Sequence, residues 1–216
     1  PGGVEPLAGL GRPGPRRGAP VGWRASGAAA APHPLEVAVP VVGLNHVVLY
    51  VRDAARSAQF YEQALGFVRK YADGKGRFVF LNAPASRNDH DLGLFTIGDA
   101  VDAEAGHGRV GLYHVSWETP TLRELAEIRA RLLALGALVG ESDHQVTKAL
   151  YAKDPDGLEF EVTWAVPLDR YPEDPKPTVA PLDLDAAIAE FGADTIGGAL
   201  TALPQDPERL RVGAPA

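Results

Sequence analysis

The sequence predicts an α+β fold made of two modules, each running strand, helix, three strands. The first observation is a repeat: Gly43-Leu44-Asn45-His46-Val47 returns as Gly111-Leu112-Tyr113-His114-Val115, at an offset of 68 residues. The second is its continuation, with Ala64-Leu65-Gly66 returning as Ala134-Leu135-Gly136 at an offset of 70. The third is periodicity: in each copy an apolar, β-branched run precedes a run with helical spacing, and short apolar runs broken by turn residues follow. The repeat is too long for a solenoid unit and occurs only twice, which points to a paired-module domain.

The first strand is expected over 43–51. Asp53 then serves as N-cap of a helix whose inner face is Ala54, Ser57, Phe60, Tyr61 and Leu65, stopped by Gly66. Three short strands follow near 67–72, 77–82 and 91–97, separated by Asp73-Gly74 and by the polar stretch Asn82 to Asn88. Module two opens with a strand over 110–118. Thr119-Pro120 starts a helix lined by Leu122, Leu125, Ile128, Leu132, Leu133 and Leu135. Strands near 138–141, 146–152 and 158–164 complete it, the last two joined by the turn Asp154-Pro155-Asp156-Gly157.

The modules thus occupy 43–99 and 110–166 of a domain spanning 41–166. Residues 1–40, rich in Gly, Pro, Ala and Arg, read as a flexible extension. Arg16-Arg17 lacks the apolar stretch of a twin-arginine signal, Arg24 standing where it would run. Residues 167–216 form a proline-rich tail with a short helix at 183–191, where Leu184, Ile188 and Phe191 share a face. That tail is expected to pack on the domain or on a second subunit.

Composition narrows the chemistry. The 216 residues contain no cysteine, which excludes disulfides, thiolate metal sites and cysteine nucleophiles; a metal would rest on imidazole and carboxylate. The net charge is −7, and residues 1–40 carry +2 of it, leaving −9 on the remainder, so nucleic acid is not the expected partner. No apolar run approaches the ~18 residues of a membrane-crossing helix, and no membrane partner is expected. A cytoplasmic enzyme is the default expectation.

Side chains alternate along a strand. Leu44, His46, Val48 and Tyr50 therefore share one face, Leu112, His114, Ser116 and Glu118 another, and Glu159, Glu161 and Thr163 a third. Two imidazoles and one carboxylate with open coordination positions suit non-haem Fe(II). Singly, each residue has a plain structural reading, as a core histidine or an outward strand carboxylate. The histidine's recurrence at matching depth in both modules is what favours a site.

The span 43–166 resembles the vicinal oxygen chelate superfamily, which includes glyoxalase I, antibiotic-resistance proteins and type I extradiol dioxygenases. The resemblance implies two βαβββ modules forming an open, curved, barrel-like mixed sheet around a metal. It also implies His46, His114 and Glu161 as ligands, Glu161 following the Asp-Pro-Asp-Gly turn and Glu159 falling two residues early. His90-Asp91-Leu92-Gly93-Leu94 resembles the segment with the acid–base histidine of the extradiol branch. His144-Gln145-Val146-Thr147-Lys148-Ala149-Leu150-Tyr151 resembles that branch's His…Tyr segment, with Tyr151 ten residues before Glu161. The gap from His144 to Tyr151 is two residues shorter than in two-domain dioxygenases and closer to single-domain catechol 2,3-dioxygenase-like proteins.

The resemblance implies an Fe(II)-dependent extradiol dioxygenase, with Mn(II) as a possible substitute, acting on a catechol-type diol and dioxygen, with a homodimer common among relatives. His90 would be the acid–base group; His144 and Tyr151 would orient the substrate oxygens. Simpler readings stand beside these: His90 as a loop residue next to Asp89, Tyr151 as core filling, His144 as a turn cap. A glyoxalase-like isomerase or lyase generally needs a second carboxylate from the last strand of module one, and Leu92-Gly93-Leu94-Phe95-Thr96-Ile97 has none. A metal-free, drug-sequestering binding protein would have no reason to keep three ligand types in register. A thiol-transferring epoxide-opening resistance enzyme fits the histidine and tyrosine segment poorly. His33 and His107 read as solvated, and Trp117, Phe80, Phe95 and Trp164 are pocket-lining candidates of unassigned facing.

Overall fold

A computed structural model of the chain describes residues 43–101, 108 and 110–198. The expected extension, His33, His107 and the end of the tail lie outside them. Module one runs β1 (Val47–Val51), α1 (Ala54–Leu65), β2 (Val68–Ala72), β3 (Phe78–Asn82) and β4 (Leu92–Thr96). Module two runs β5 (Val115–Glu118), α2 (Leu122–Ala134), β6 (Leu138–Asp143), β7 (Thr147–Lys153) and β8 (Glu159–Ala165). The tail adds β9 (Ala180–Pro181) and α3 (Leu184–Phe191).

Local chemistry sets these ends. The Asp53 carboxylate accepts from the Ala55 and Arg56 N–H groups at 2.8 and 3.1 Å, and Gly66 closes α1 at φ 75°. In α2 the cap is Thr121, two residues after the expected start, its hydroxyl accepting from Glu124 N–H. The expected inner face holds for Leu122, Leu125 and Leu132, but Leu133 and Leu135 are exposed. Leu133 follows buried Leu132 by a ~100° turn of the helix, which swings it outward.

The repeat in sequence is a repeat in topology. Each module makes a mixed sheet in which the first strand is outermost and lies parallel to the last: β1-β4-β3-β2 and β5-β8-β7-β6, with β9 added beyond β6. The two sheets remain separate and do not close into a barrel. Both first strands are shorter than predicted, because ladder pairing begins only at Val47↔Leu92 and at Val115↔Phe160. Residues 43–46 and 110–114 are apolar in part but have no partner strand to complete a ladder. β9 is a two-residue strand in the proline-rich tail, too short for a periodic signal.

Both helices cover the same side of their sheets, and the modules meet there. Tyr61 packs on Phe160 with ring centroids 5.6 Å apart, and Phe67 packs edge-on to Trp117 at 5.1 Å. Tyr61, Leu81, Leu92, Leu94, Leu122, Leu125, Leu132, Phe160 and Val162 are all essentially inaccessible. Each such side chain contributes about 1.5–3 kcal/mol of burial. Polar groups reinforce this junction: Asp156 accepts from Arg52 N–H (3.2 Å), Arg52 Nη1 (3.0 Å), Arg56 Nη2 (2.7 Å) and Ser57 Oγ (3.2 Å). The tail docks on module two, Trp164 Nε1 donating to Thr195 O at 3.1 Å and Trp164 meeting Phe191. No helix among the described residues is long and apolar enough to cross a membrane.

Candidate metal and substrate site

On the side of each sheet away from its helix, the strands present the residues singled out by their sequence pattern. In module two, Glu161 on β8 lies in register with Ser116 on one side and Tyr151 on the other, and is 8% exposed. His114 stands one residue before β5, and its Nε2 lies 3.5 Å from Glu161 Oε2. Its Nδ1 is buried without a hydrogen-bond partner. An imidazole nitrogen and a carboxylate oxygen so placed are two of the three donors that a divalent cation of the Fe(II) type takes.

A hydrogen-bonded chain stands beside this pair. His144 Nδ1 lies 2.7 Å from the Thr178 carbonyl oxygen, and its Nε2 lies 2.8 Å from the Tyr151 hydroxyl. A carbonyl only accepts, so Nδ1 carries the proton and, in the neutral ring, Nε2 accepts from Tyr151. Burial, then the neighbouring Glu161 carboxylate, holds the Tyr151 phenol well above its ordinary value, so it remains a donor.

Module one presents a different surface. His46 Nδ1 lies 2.7 Å from Asn45 Oδ1, which turns Nε2 away from that contact. The His90 ring lies 4.5 Å from that of His46 and stacks on Phe80 at 4.4 Å and 18°. Phe80 continues into a row with Phe78, Phe95 and Tyr71. Gly93 allows it: a Cβ there would lie 3.3 Å from both Phe80 and Val48. Asp91 anchors the loop ahead of β4, accepting from Ser86 Oγ (2.7 Å), Asn88 Nδ2 (2.8 Å) and Ala83 N–H (2.9 Å). That loop carries His90.

The six candidate residues therefore form two groups. His114, Glu161, Tyr151 and His144 come together on one sheet; His46 and His90 come together on the other. Among the described residues no three His, Asp or Glu side chains gather to hold a metal ion. Of the three expected ligands, His114 and Glu161 stand together, while His46 stands with His90 on the other sheet. The cause is the direction in which the modules abut. Arg52, just past β1, is clamped to Asp156, in the turn just before β8. At the other end Asp91, beside the start of β1, shares a cavity with Thr119, just past β5. The first strands of the two modules thus run antiparallel across the junction, and His46 and His114, each at its strand's beginning, lie at opposite ends. Six residues of extended chain from His46 to Arg52 span about 20 Å.

The chain is similar in sequence to known proteins. The description Glyoxalase/Bleomycin resistance protein/Dioxygenase superfamily matches residues 43–162. The chain belongs to that superfamily. It is 30% identical over 168 residues to a catechol-2,3-dioxygenase of Bacillus subtilis (strain 168), an alignment covering 76% of this chain and 55% of that protein. The chain thus spans little more than half the length of that curated relative. Solved structures similar to it include a glyoxylase/bleomycin resistance protein/dioxygenase domain from Frankia sp. EAN1pec, with TM-score 0.47, 22% identity and coverage of 58% of this chain and 99% of that one. A lactoylglutathione lyase from Agrobacterium tumefaciens has TM-score 0.43 and 24% identity, covering 57% and 94%. The fosfomycin resistance protein FosX of Listeria monocytogenes, complexed with Mn(II), has TM-score 0.46 and 20% identity, covering 60% and 96%.

Pattern reading passed over residues that support the candidate side chains and the module junction. Asp156 was visible only as part of a turn, and Asp91 only as a neighbour of His90. Thr178 contributes through its main chain, which no side-chain pattern reveals. Of the aromatic candidates, Phe80 and Phe95 stand on the His90 side, whereas Trp117 packs on Phe67 and Trp164 on Phe191.

Proposed function

We propose that this protein is an Fe(II)-dependent extradiol dioxygenase that opens the ring of a catechol-type diol, with Mn(II) able to take the place of iron. The observation that carries the reading is the pairing of His114 with Glu161 beside the Tyr151–His144 hydrogen bond. The similarity to the Bacillus subtilis catechol-2,3-dioxygenase supports the same reading. In it, His46, His114 and Glu161 hold the metal, and the protein works as a cytoplasmic homodimer. Bound there, Fe(II) supplies Lewis acidity that lowers the diol's hydroxyl pKa and a path for electrons between ring and dioxygen.

The chain's own groups do the rest. Tyr151, kept protonated, donates toward a substrate oxygen, and His144 fixes the direction of that hydroxyl. His90 moves protons at the oxygen atoms near the ring, its Nδ1 engaged by Asp89 Oδ2 at 2.9 Å. The aromatic row formed by Phe80, Phe78 and Phe95 offers a flat apolar wall to the ring. Both atoms of dioxygen enter the product while the carbon–carbon bond next to the diol breaks. The product is a ring-opened semialdehyde, and no outside reductant is consumed.

Anaerobic loading with Fe(II), then addition of catechols and air, is expected to produce oxygen uptake and a yellow ring-fission chromophore. No oxygen uptake across a broad diol panel would overturn the reading. A metal-free small-molecule binder is the second reading, favoured by the lack of a three-donor cluster among the described residues of one chain. Near-stoichiometric metal after gentle purification would dismiss it.

A further inference from the structure

We propose that the cavity between the two modules, on the helix-covered side of the sheets, binds a small organic amine. That ligand carries an ammonium group, an apolar or aromatic body and a hydrogen-bond-accepting oxygen. The cavity lies across the sheet from the metal donors. Trp117 and Val162 line it, and their strand neighbours Ser116 and Glu161 face the other way.

The cavity measures about 570 Å³, within the range of roughly 300–1,000 Å³ usual for small-molecule sites. Leu65 and Phe67 from module one, Ile128 from α2 and Val162 from β8 give it apolar walls. Set among them are three polar atoms that the fold leaves unused. Trp117 Nε1, Thr119 Oγ1 and Glu124 Oε2 are buried with no hydrogen-bond partner among the described residues. Thr119 is only 3% exposed. Unpaired buried polar atoms destabilise a fold, and a molecule with matching groups removes that cost.

Each atom specifies part of the ligand. Glu124 stands three residues after the Thr121 cap of α2, where a glutamate commonly turns back to the N–H of the cap. Its Oε2 makes no such bond, which leaves a carboxylate oxygen for a donor. Of the other charged groups on the walls, Asp91 accepts from Ser86, Asn88 and Ala83, and Glu127 and Arg131 pair with each other at 3.6 Å. Glu118 adds further negative charge. This lining favours a cation. An indole N–H only donates, so Trp117 calls for an oxygen on the ligand; the Thr119 hydroxyl serves either kind of partner. An amine without oxygen would leave Trp117 unpaired, and a carboxylic acid would set its charge against Glu124.

The test is calorimetric titration of the full-length, metal-free protein with three probes. Tyramine has every required group, phenethylamine lacks the oxygen, and para-hydroxyphenylpropionate carries a carboxylate in place of the ammonium. Tyramine is expected to bind saturably at one per chain, phenethylamine about tenfold more weakly and the acid not at all. Glu124→Gln keeps a side chain of the same shape that also suits the helix start, and should weaken tyramine by about 10–100-fold. Trp117→Phe keeps an aromatic ring against Phe67. It should bring tyramine down to the affinity of phenethylamine while leaving phenethylamine unchanged. Glu161→Gln, on the opposite face, should alter none of these affinities. No saturable binding of tyramine, equal binding of the acid, or unchanged affinity in Glu124→Gln would each overturn the proposal. So would equal weakening of both amines by Trp117→Phe, or a loss in Glu161→Gln, which would put the amine at the metal face.

Discussion

Asp154 is buried beneath Tyr61, and burial holds its carboxyl above the ordinary range even though Asp156 and Leu158 N–H groups donate to it. A carboxyl whose folded pKa is raised favours folding most fully below its unfolded pKa of ~3.9 and loses that advantage as pH climbs through the folded value. Asp154→Asn keeps the oxygen that caps the turn and removes the charge. The urea midpoint of the Asn variant relative to the parent is therefore expected to rise from pH ~4 toward neutrality; an unchanged difference would refute the burial argument. At His90, replacement by Phe preserves the stack on Phe80 but removes the proton carrier. Iron content should stay at the parent level while turnover falls by ~10²–10⁴-fold. The candidate side chains were legible individually, because a repeated histidine and a carboxylate after an Asp-Pro-Asp-Gly turn are local patterns. Their grouping was not, since it depends on how two modules abut.

Between elements, a buried polar contact ties the turn before β8 to the end of β1 and the start of α1. Asp156 is 6% exposed and accepts from Arg52, Arg56 and Ser57. Asp156→Ala should cost about 2–4 kcal/mol in urea unfolding, with Arg56 contributing least because its side chain is 48% exposed. Loss below ~0.5 kcal/mol would mean the modules are held by apolar packing alone. On β4, Gly93→Ala puts a methyl against Phe80 and Val48 and must shift the ring that supports His90. Turnover should drop with iron content unchanged; equal losses in both would place the damage elsewhere. Most elements were readable within a residue or two, from caps such as Asp53 and stops such as Gly66. The errors fell at the heads of β1 and β5, where apolar residues precede the point at which a neighbouring strand exists to pair with them.

For the whole molecule, the repeat predicted the same order of elements in both modules but neither the strand order within each sheet nor the separation between the sheets. A βαβββ module can meet its twin side by side or face to face, and the same hydrophobic pattern serves either. Here Tyr61 on Phe160 and Phe67 on Trp117 join the modules on their helix-covered sides.

The oxygen that orients His144 belongs to the peptide backbone at position 178, not to a side chain. Amino-acid exchanges at that position leave it in place, so drift there is tolerated as long as the chain's path is kept. Deleting a single residue between 172 and 178 would instead drag the acceptor by several ångströms. The tail's length, more than its composition, is then what natural variation has to preserve.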